Sequence, residues 1–307
     1  MKKAVSFLLT LALLAGLLSM SAMAATFTDA EGREVAVENP QRVVSLHASY
    51  ADAWMTAGGT LVGVPENAFE FSEQLRGSGA QSLGSHDEPN MELLFSLEPD
   101  FVILSADNEN HQAVAEVLEQ AGVPCAFFAA TDWRDYMDMM RLFTDVTGRG
   151  DLYQAQVETV QQPIEACIAE AEAMENYGRT TALLLRAYSS GVRAKGSRSN
   201  VAGAIMSDMG FVNIADSDQT LLENLSLEQI LLDDPDYIFI VTMGVNTDAA
   251  MQSLAELLTD NPAWNTLTAV KENRCIVLDR ALFHLHPNAR WAESYEFMLS
   301  LLREQGQ

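Results

Sequence analysis

The chain has 307 residues, enough for two lobes that each bury a core. Its 43 acidic residues against 18 lysines and arginines give a formal charge of -25, which repels phosphate backbones and anionic lipid and excludes nucleic-acid binding. Apolar residues make up 48%, with 18 glycines and 9 prolines, the composition of a folded globular protein.

Lys2 and Lys3 precede an apolar run over residues 7–18, and Ala22-Met23-Ala24 supplies small residues for cleavage, so residues 1–24 read as a secretory signal peptide. The run is short for a membrane span, and no other stretch approaches the ~20 apolar residues that a spanning helix needs. No cysteine stands at the cleavage site to carry a lipid, which points to a periplasmic or otherwise extracytoplasmic protein. Cys125, Cys167 and Cys275 are scattered singles rather than an even framework, and all three are expected to be unpaired.

Short apolar runs at 42–46, 61–64, 101–104, 125–128, 181–186, 237–241 and 274–278 predict strands. Segments of helical period at 50–57, 111–121, 133–146, 201–209, 248–258 and 289–303 predict helices, and the alternation defines an α/β protein with parallel sheets. Between Asp151 and Met174 the chain is strandless and rich in Ala, Glu and Gln, which predicts one long helix with Pro163 kinking or dividing it. This divides the mature chain into an N-terminal lobe 25–150, a connecting helix 151–175 and a C-terminal lobe 176–307.

The two sides of that helix repeat a pattern. Glu92 is followed at +7 and +8 by Pro99-Asp100 and a strand, and Glu228 at +7 and +8 by Pro235-Asp236 and a strand. Asn90 and Ser226 are the expected N-caps of the helices that carry the two glutamates. Two similar Rossmann-like lobes joined by one long helix imply a ligand cleft between them.

Several stretches together resemble the periplasmic substrate-binding proteins of iron-complex and cobalamin ABC importers, the class with a single rigid helix between its lobes. They are Phe27 to Val35 with Asn39 to Leu46, Pro89 to Glu92 with Glu98-Pro99-Asp100, and Leu225 to Gln229 with Asp234-Pro235-Asp236. Near the C-terminus Asn261-Pro262-Ala263-Trp264, Asn273 to Leu278 and Pro287 to Trp291 continue the match. The helix dipole alone favours a glutamate in a first turn. The resemblance nevertheless implies that Glu92 and Glu228 face a permease dimer, served by its ATPase, and pair with its arginines. It also implies a monomeric carrier of an Fe(III)-siderophore or haem, with no intrinsic cofactor and no catalysis.

In an α/β lobe the ligand meets loops at the carboxyl ends of strands, here 47–50, 105–108, 188–198, 243–246 and 282–287. The segment 179–198 concentrates Arg179, Arg186, Arg193, Lys195 and Arg198, which reads either as a solvated loop or as an anion pocket. Of the histidines, His47, His86, His284 and His286 fall in cleft loops, whereas His111 is expected on a helix surface. If His284-Leu285-His286 is extended, both rings share one face and suit the iron of a bound complex, although His-x-His alone is a weak pattern. Tyr50 and Tyr188 are candidates to face a planar ligand, while Trp54 and Trp133 suit a core equally well. The expected ligand residues are therefore Tyr50, His86, Arg186, Tyr188, Arg198, His284 and His286. Cobalamin, a molybdate-like oxyanion or a bare divalent metal are the alternatives within binding proteins. A secreted hydrolase is the remote alternative, with no Gly-x-Ser-x-Gly, His-Glu-x-x-His or phosphate loop to support it.

Overall fold

The computed structural model describes residues 25–305 apart from 199, 218 and 245, so the signal peptide expected over 1–24 lies outside the described residues. A hairpin of β1 (Ala25–Thr28) and β2 (Glu34–Val37) opens the chain. The first parallel sheet contains β3 (Val43–Ser45), β4 (Leu61–Val64), β5 (Gln81–Ser82), β6 (Phe101–Ser105) and β7 (Cys125–Phe128), in the order β5-β4-β3-β6-β7. The second contains β8 (Thr181–Tyr188), β9 (Gly191–Lys195), β10 (Val212–Asn213), β11 (Tyr237–Thr242) and β12 (Cys275–Val277). Its order is β10-β8-β11-β12, with β9 antiparallel beside β8.

Apart from the added β5 and β9, both sheets place their strands in the order second, first, third, fourth, which is the expected duplication. The Pro-Asp turns explain why. The Asp100 carboxylate accepts the amides of Gln41 and Arg42 at 2.7 and 2.8 Å, tying the start of β6 to the entry of β3. In the second half Asp236 accepts the Thr181 amide and hydroxyl, both at 2.8 Å, tying β11 to the entry of β8. The residue before each proline, Glu98 or Asp234, takes a positive φ, 46° and 40°, that turns the chain into the strand. Because β3, β6, β7 and β11 are buried along their whole length, their apolar runs are continuous, as two-sided burial requires.

A single apolar cluster joins the halves. It takes in Phe101 and Ile103 of the first sheet, Tyr136 and Phe143 of the helix Trp133–Thr147, Val160 and Ile164, Leu184 and Phe239 of the second sheet, and Tyr295 and Met298 of the helix Trp291–Gln305. The opposite sheet faces carry separate clusters, Val102 and Leu104 in the first and Leu183 and Leu185 in the second. Between the sheets the chain is helical from Gly150 to Glu172. Pro163 does not divide this run. A π-turn over Val157–Gln161 comes just before it, and the Gln162 amide reaches back to the Val157 carbonyl, so the wide turn absorbs the proline ring.

The stretch at 188–198, expected as a cleft loop, contains β9, whose Arg193 stands opposite Arg186 of β8. Cys125 and Cys167 are buried, Cys275 is half-buried, and all three are free.

Removing either turn aspartate strands two strand-entry donors, at about 1–3 kcal/mol. Asp100→Ala and Asp236→Ala are both expected to lower the stability read from urea unfolding by that amount. Asp236→Ala should cost more, because Thr181 is half-buried whereas Gln41 and Arg42 are exposed.

Candidate functional site

The carboxyl end of β3 runs into His47 and the helix Ala48–Thr56. Ser49, in its first turn, bonds through Oγ to His47 Nδ1 at 2.9 Å and to His286 Nδ1 at 2.8 Å. His286 arrives from the other half of the chain. What delivers it is Asn288, whose φ of 51° turns the backbone and whose Nδ2 donates to the Ser49 carbonyl at 2.8 Å and to Asp52 Oδ2 at 2.9 Å. Asparagine is among the few residues that adopt this conformation readily. Tyr50 lies fully buried beneath the pair, its ring centroid 4.2 Å from that of His47 and 5.7 Å from that of His286. Burial lowers the pKa of both imidazoles, that of His47 well below its ordinary value, and keeps them neutral.

The second wall is basic. His284 closes the short helix Arg280–Phe283, and its Nδ1 is buried with no partner among the described residues. Burial, reinforced by the positive charges of Arg186 and Arg280, pushes its pKa down to about 4. Arg280 donates to the Gly244 carbonyl at 2.6 Å, but its Nε, like that of Arg186, is buried without a partner among the described residues. Among the described residues the arginine ion pairs use Arg33, Arg134, Arg141, Arg149, Arg290 and Arg303 instead.

These walls enclose a cleft of about 790 Å³. His47, Ser49, Asn67, Glu70, Phe71 and His86 line it from the first half, and Met243, Asp279, Arg280, His284, Leu285 and His286 from the second. Of the residues expected there, the structure brings His86, His284 and His286 to the lining. Tyr50 stands behind the lining instead, because the helix starts at Ala48 and turns its ring inward. Arg186 stands behind His284. Tyr188 is half-buried at the end of β8 with the Arg193 guanidinium 5.9 Å from its ring centroid. Arg198 is exposed beyond β9, and Arg179 precedes β8 at the opposite end of the sheet, so the five basic residues do not converge.

His284 and His286 also part company. Residues 284–286 form a turn rather than an extended strand, and the two rings meet different neighbours, the arginines for one and Ser49 for the other. His111 is not on the surface: it is fully buried, its Nδ1 accepting the Ser105 amide at 2.9 Å and its Nε2 bonding to the His86 carbonyl at 2.8 Å. It thereby anchors the loop that carries His86. Trp54 and Trp133 are core residues.

The expected list lacked His47, Ser49 and Arg280. Arg280 fell just outside the loop expected at 282–287, although it lies only three residues past β12. Nothing within the loop 47–50 singled out Ser49, because its role depends on a histidine 237 positions away. Glu92 and Glu228 are exposed at the second positions of the helices Met91–Ser96 and Leu227–Asp233, away from the cleft lining. Asn90 and Ser226 cap those helices as expected, accepting the amides of Leu93 and Gln229 at 2.9 and 3.4 Å.

A family model described as periplasmic binding protein matches residues 43–282. The chain is 29% identical to the Fe(3+)-citrate-binding protein YfmC of Bacillus subtilis, covering 82% of this chain and 77% of that one. It is 23% identical to the Fe(3+) dicitrate-binding periplasmic protein FecB of Escherichia coli, covering 87% of each. Among solved structures, the periplasmic catecholate-siderophore binding protein VctP of Vibrio cholerae superposes with a TM-score of 0.70 at 18% identity, over 92% of this chain and 99% of that one.

His284 sets a pH dependence. Its folded pKa of about 4 lies below the ordinary 6.5, so between those values the unfolded chain binds a proton that the folded chain rejects. Stability is expected to fall as pH drops through this window. In urea unfolding at pH 7 and pH 5, His284→Gln should narrow the difference between the two midpoints; an unchanged difference would show that His284 is not buried neutral.

Proposed function

The chain belongs to the periplasmic binding protein family, and we propose that it captures an anionic Fe(III) complex in the interlobe cleft and delivers it to the permease of an ABC importer. One observation carries this reading: three buried nitrogens, Arg186 Nε, Arg280 Nε and His284 Nδ1, lie at the second wall without a partner among the described residues, in a chain whose acidic residues outnumber its basic ones. A buried donor without a partner costs about 1–3 kcal/mol, which an anionic ligand recovers. Guanidinium forks suit carboxylates, catecholates and haem propionates, and the two curated relatives named above are ferric citrate binders by name. Neutral cobalamin leaves the arginines without a role, and a bare divalent cation meets two positive charges. Phe71, Met243 and Leu285 supply apolar surface for the ligand's carbon skeleton.

The lobes in this reading are 25–150 and 176–307 around the connecting helix 151–175, with the protein acting as a monomer outside the cytoplasm. Among the described residues no helix is long and apolar enough to cross a membrane. Glu92 and Glu228 serve the permease rather than the ligand, since both project into solvent from equivalent helices. Two anions related by the duplication suit a dimeric partner.

Removing one charged partner at a desolvated site costs a few kcal/mol, so Arg280→Ala or Arg186→Ala is expected to weaken ligand binding by roughly 10- to 1000-fold. The measurement is an intrinsic-fluorescence titration with ferric citrate, a ferric catecholate, haem and cyanocobalamin; tight binding of cyanocobalamin alone, indifferent to both changes, overturns the reading. The double variant Glu92→Arg/Glu228→Arg should abolish uptake in cells while leaving those affinities within about threefold, a change worth less than the 1.4 kcal/mol of a tenfold step.

A further inference from the structure

His111 sits at the carboxyl end of the first sheet, where the strand order reverses between β3 and β6. The last ladder bond there runs from the Leu46 amide to the Ile103 carbonyl at 2.9 Å, after which β3 gives way to the helix Ala48–Thr56. The next β6 amide on that side, that of Ser105, donates to His111 Nδ1 instead, at 2.9 Å. A backbone amide can only donate and a carbonyl only accept, so the ring is fixed with a bare Nδ1 and a proton on Nε2, which it gives to the His86 carbonyl at 2.8 Å. No other tautomer satisfies both partners, and burial, which lowers the pKa of this ring, keeps it neutral.

The segment held in this way has two ends of different use. Gly84, at a φ of 83°, pairs back onto Pro89, and the Asn90 amide closes the loop on the Leu83 carbonyl at 2.8 Å. At the tip the His86 carbonyl also receives the Asn108 amide at 3.3 Å, whose other bond goes to Asp87 Oδ1 at 3.0 Å. From this tip the His86 side chain lines the cleft, and four residues on Asn90 caps the helix Met91–Ser96 that carries Glu92. None of residues 84–90 is buried, so polar bonds rather than packing hold the loop. The helix that follows has six residues and a single buried one, Leu94, and takes its direction from its ends.

We propose that His111 is the positioning residue on which both working surfaces of the first half depend: its bond to the His86 carbonyl fixes the cleft wall that His86 forms and, through the closed loop behind it, the Glu92 helix that faces the permease. This rests on the readings of the cleft and of Glu92 given above and adds the group that holds the two together.

Two measurements test this. The first is amide hydrogen exchange of the ligand-free protein, which is independent of what the ligand is. His111→Leu keeps apolar volume but leaves the Ser105 amide and the His86 carbonyl without the ring, whereas His111→Gln keeps one acceptor and one donor on a planar group. In His111→Leu, exchange is expected to quicken by about tenfold or more at Asn90 and Leu93 as well as at Ser105, with β8 and β11 unchanged, and in His111→Gln to return to within about threefold of the wild type. Quickening confined to Ser105 overturns the proposal, as does equal quickening in both halves, which would be a loss of global stability.

The second reads function with ferric citrate, by fluorescence titration for affinity and by uptake in cells at saturating ligand for delivery. His86→Ala should weaken affinity, Glu92→Arg should lower saturated uptake, and His111→Leu should do both by about 5- to 50-fold, with rescue of both in His111→Gln. A His111→Leu protein impaired in only one of the two overturns the shared anchor. Asn108→Ala, which removes the longer bond to the same carbonyl, should give the same pair of effects at smaller size, and it decides the matter if His111→Leu does not fold. If ferric citrate fails to bind the wild type while exchange follows the expected pattern, it is the Fe(III) reading that falls, and the anchoring role is upheld.

Discussion

Asn288 holds the two halves of the molecule at one separation, and the cleft follows from that contact. Its side chain is almost fully buried, and its amide reaches the Ser49 carbonyl and the Asp52 carboxylate of the first helix. Asp52 is in turn braced by the Gln74 amide at 2.8 Å. With the chain turned at this point, His286 falls beside Ser49 while His284, two residues earlier, remains with the arginines of the other half. One backbone conformation thus sorts two nearby histidines into different surroundings. The shared apolar cluster behind it resists movement, since interiors packed at crystal density transmit strain rather than yield.

Around this contact the charges are arranged against the average of the molecule. Carboxylates dominate the sequence, and exposed ones pair with the outer arginines, as Glu170 does with Arg303 at 2.7 Å and Asp151 with Arg149 at 2.8 Å. The inner arginines receive none of these. Arg186 even faces Arg193 across β8 and β9, an unfavourable pairing in the absence of an anion to share. The neighbouring His284 imidazole stays neutral, because burial disfavours its charged form and the two guanidiniums beside it add to that cost. The cleft therefore has a basic wall and a wall of neutral imidazoles.

The duplication supplies the outer surface by the same local rules used twice. A capped short helix, a residue with positive φ, a proline and a strand-pinning aspartate recur in each half, and each copy carries one exposed glutamate at the second helical position. The equivalence is not complete. Asp234 also accepts the Thr268 amide and hydroxyl, both at 2.7 Å, a contact that Glu98 does not reproduce among the described residues. The cleft, by contrast, owes its asymmetry to the segments that the two halves do not share, the β8–β9 hairpin and the turn 284–286.

Much of the scaffold was legible in the sequence because it depends on short-range rules. Strand burial on both faces writes itself as apolar runs, caps as Asn90 and Ser226, and the repeat as Pro-Asp at fixed distance from a glutamate. The sequence also showed which residue types the cleft would draw on, since strand-end loops could be enumerated and His47, His284 and His286 fell in them. It misplaced Tyr50 and His111, where a shift of one or two residues in a helix boundary exchanges an exposed side chain for a buried one, and it read 188–198 as a loop because the polar, basic run hides the edge strand β9. Partnership was beyond its reach. That Ser49 joins His47 to His286, that His284 meets Arg186, and that Arg280 lacks a carboxylate are facts about groups up to 237 positions apart. Local pattern specifies which face of an element is buried; only the closed tertiary structure decides which polar groups share that burial, and so which nitrogens are left for a ligand.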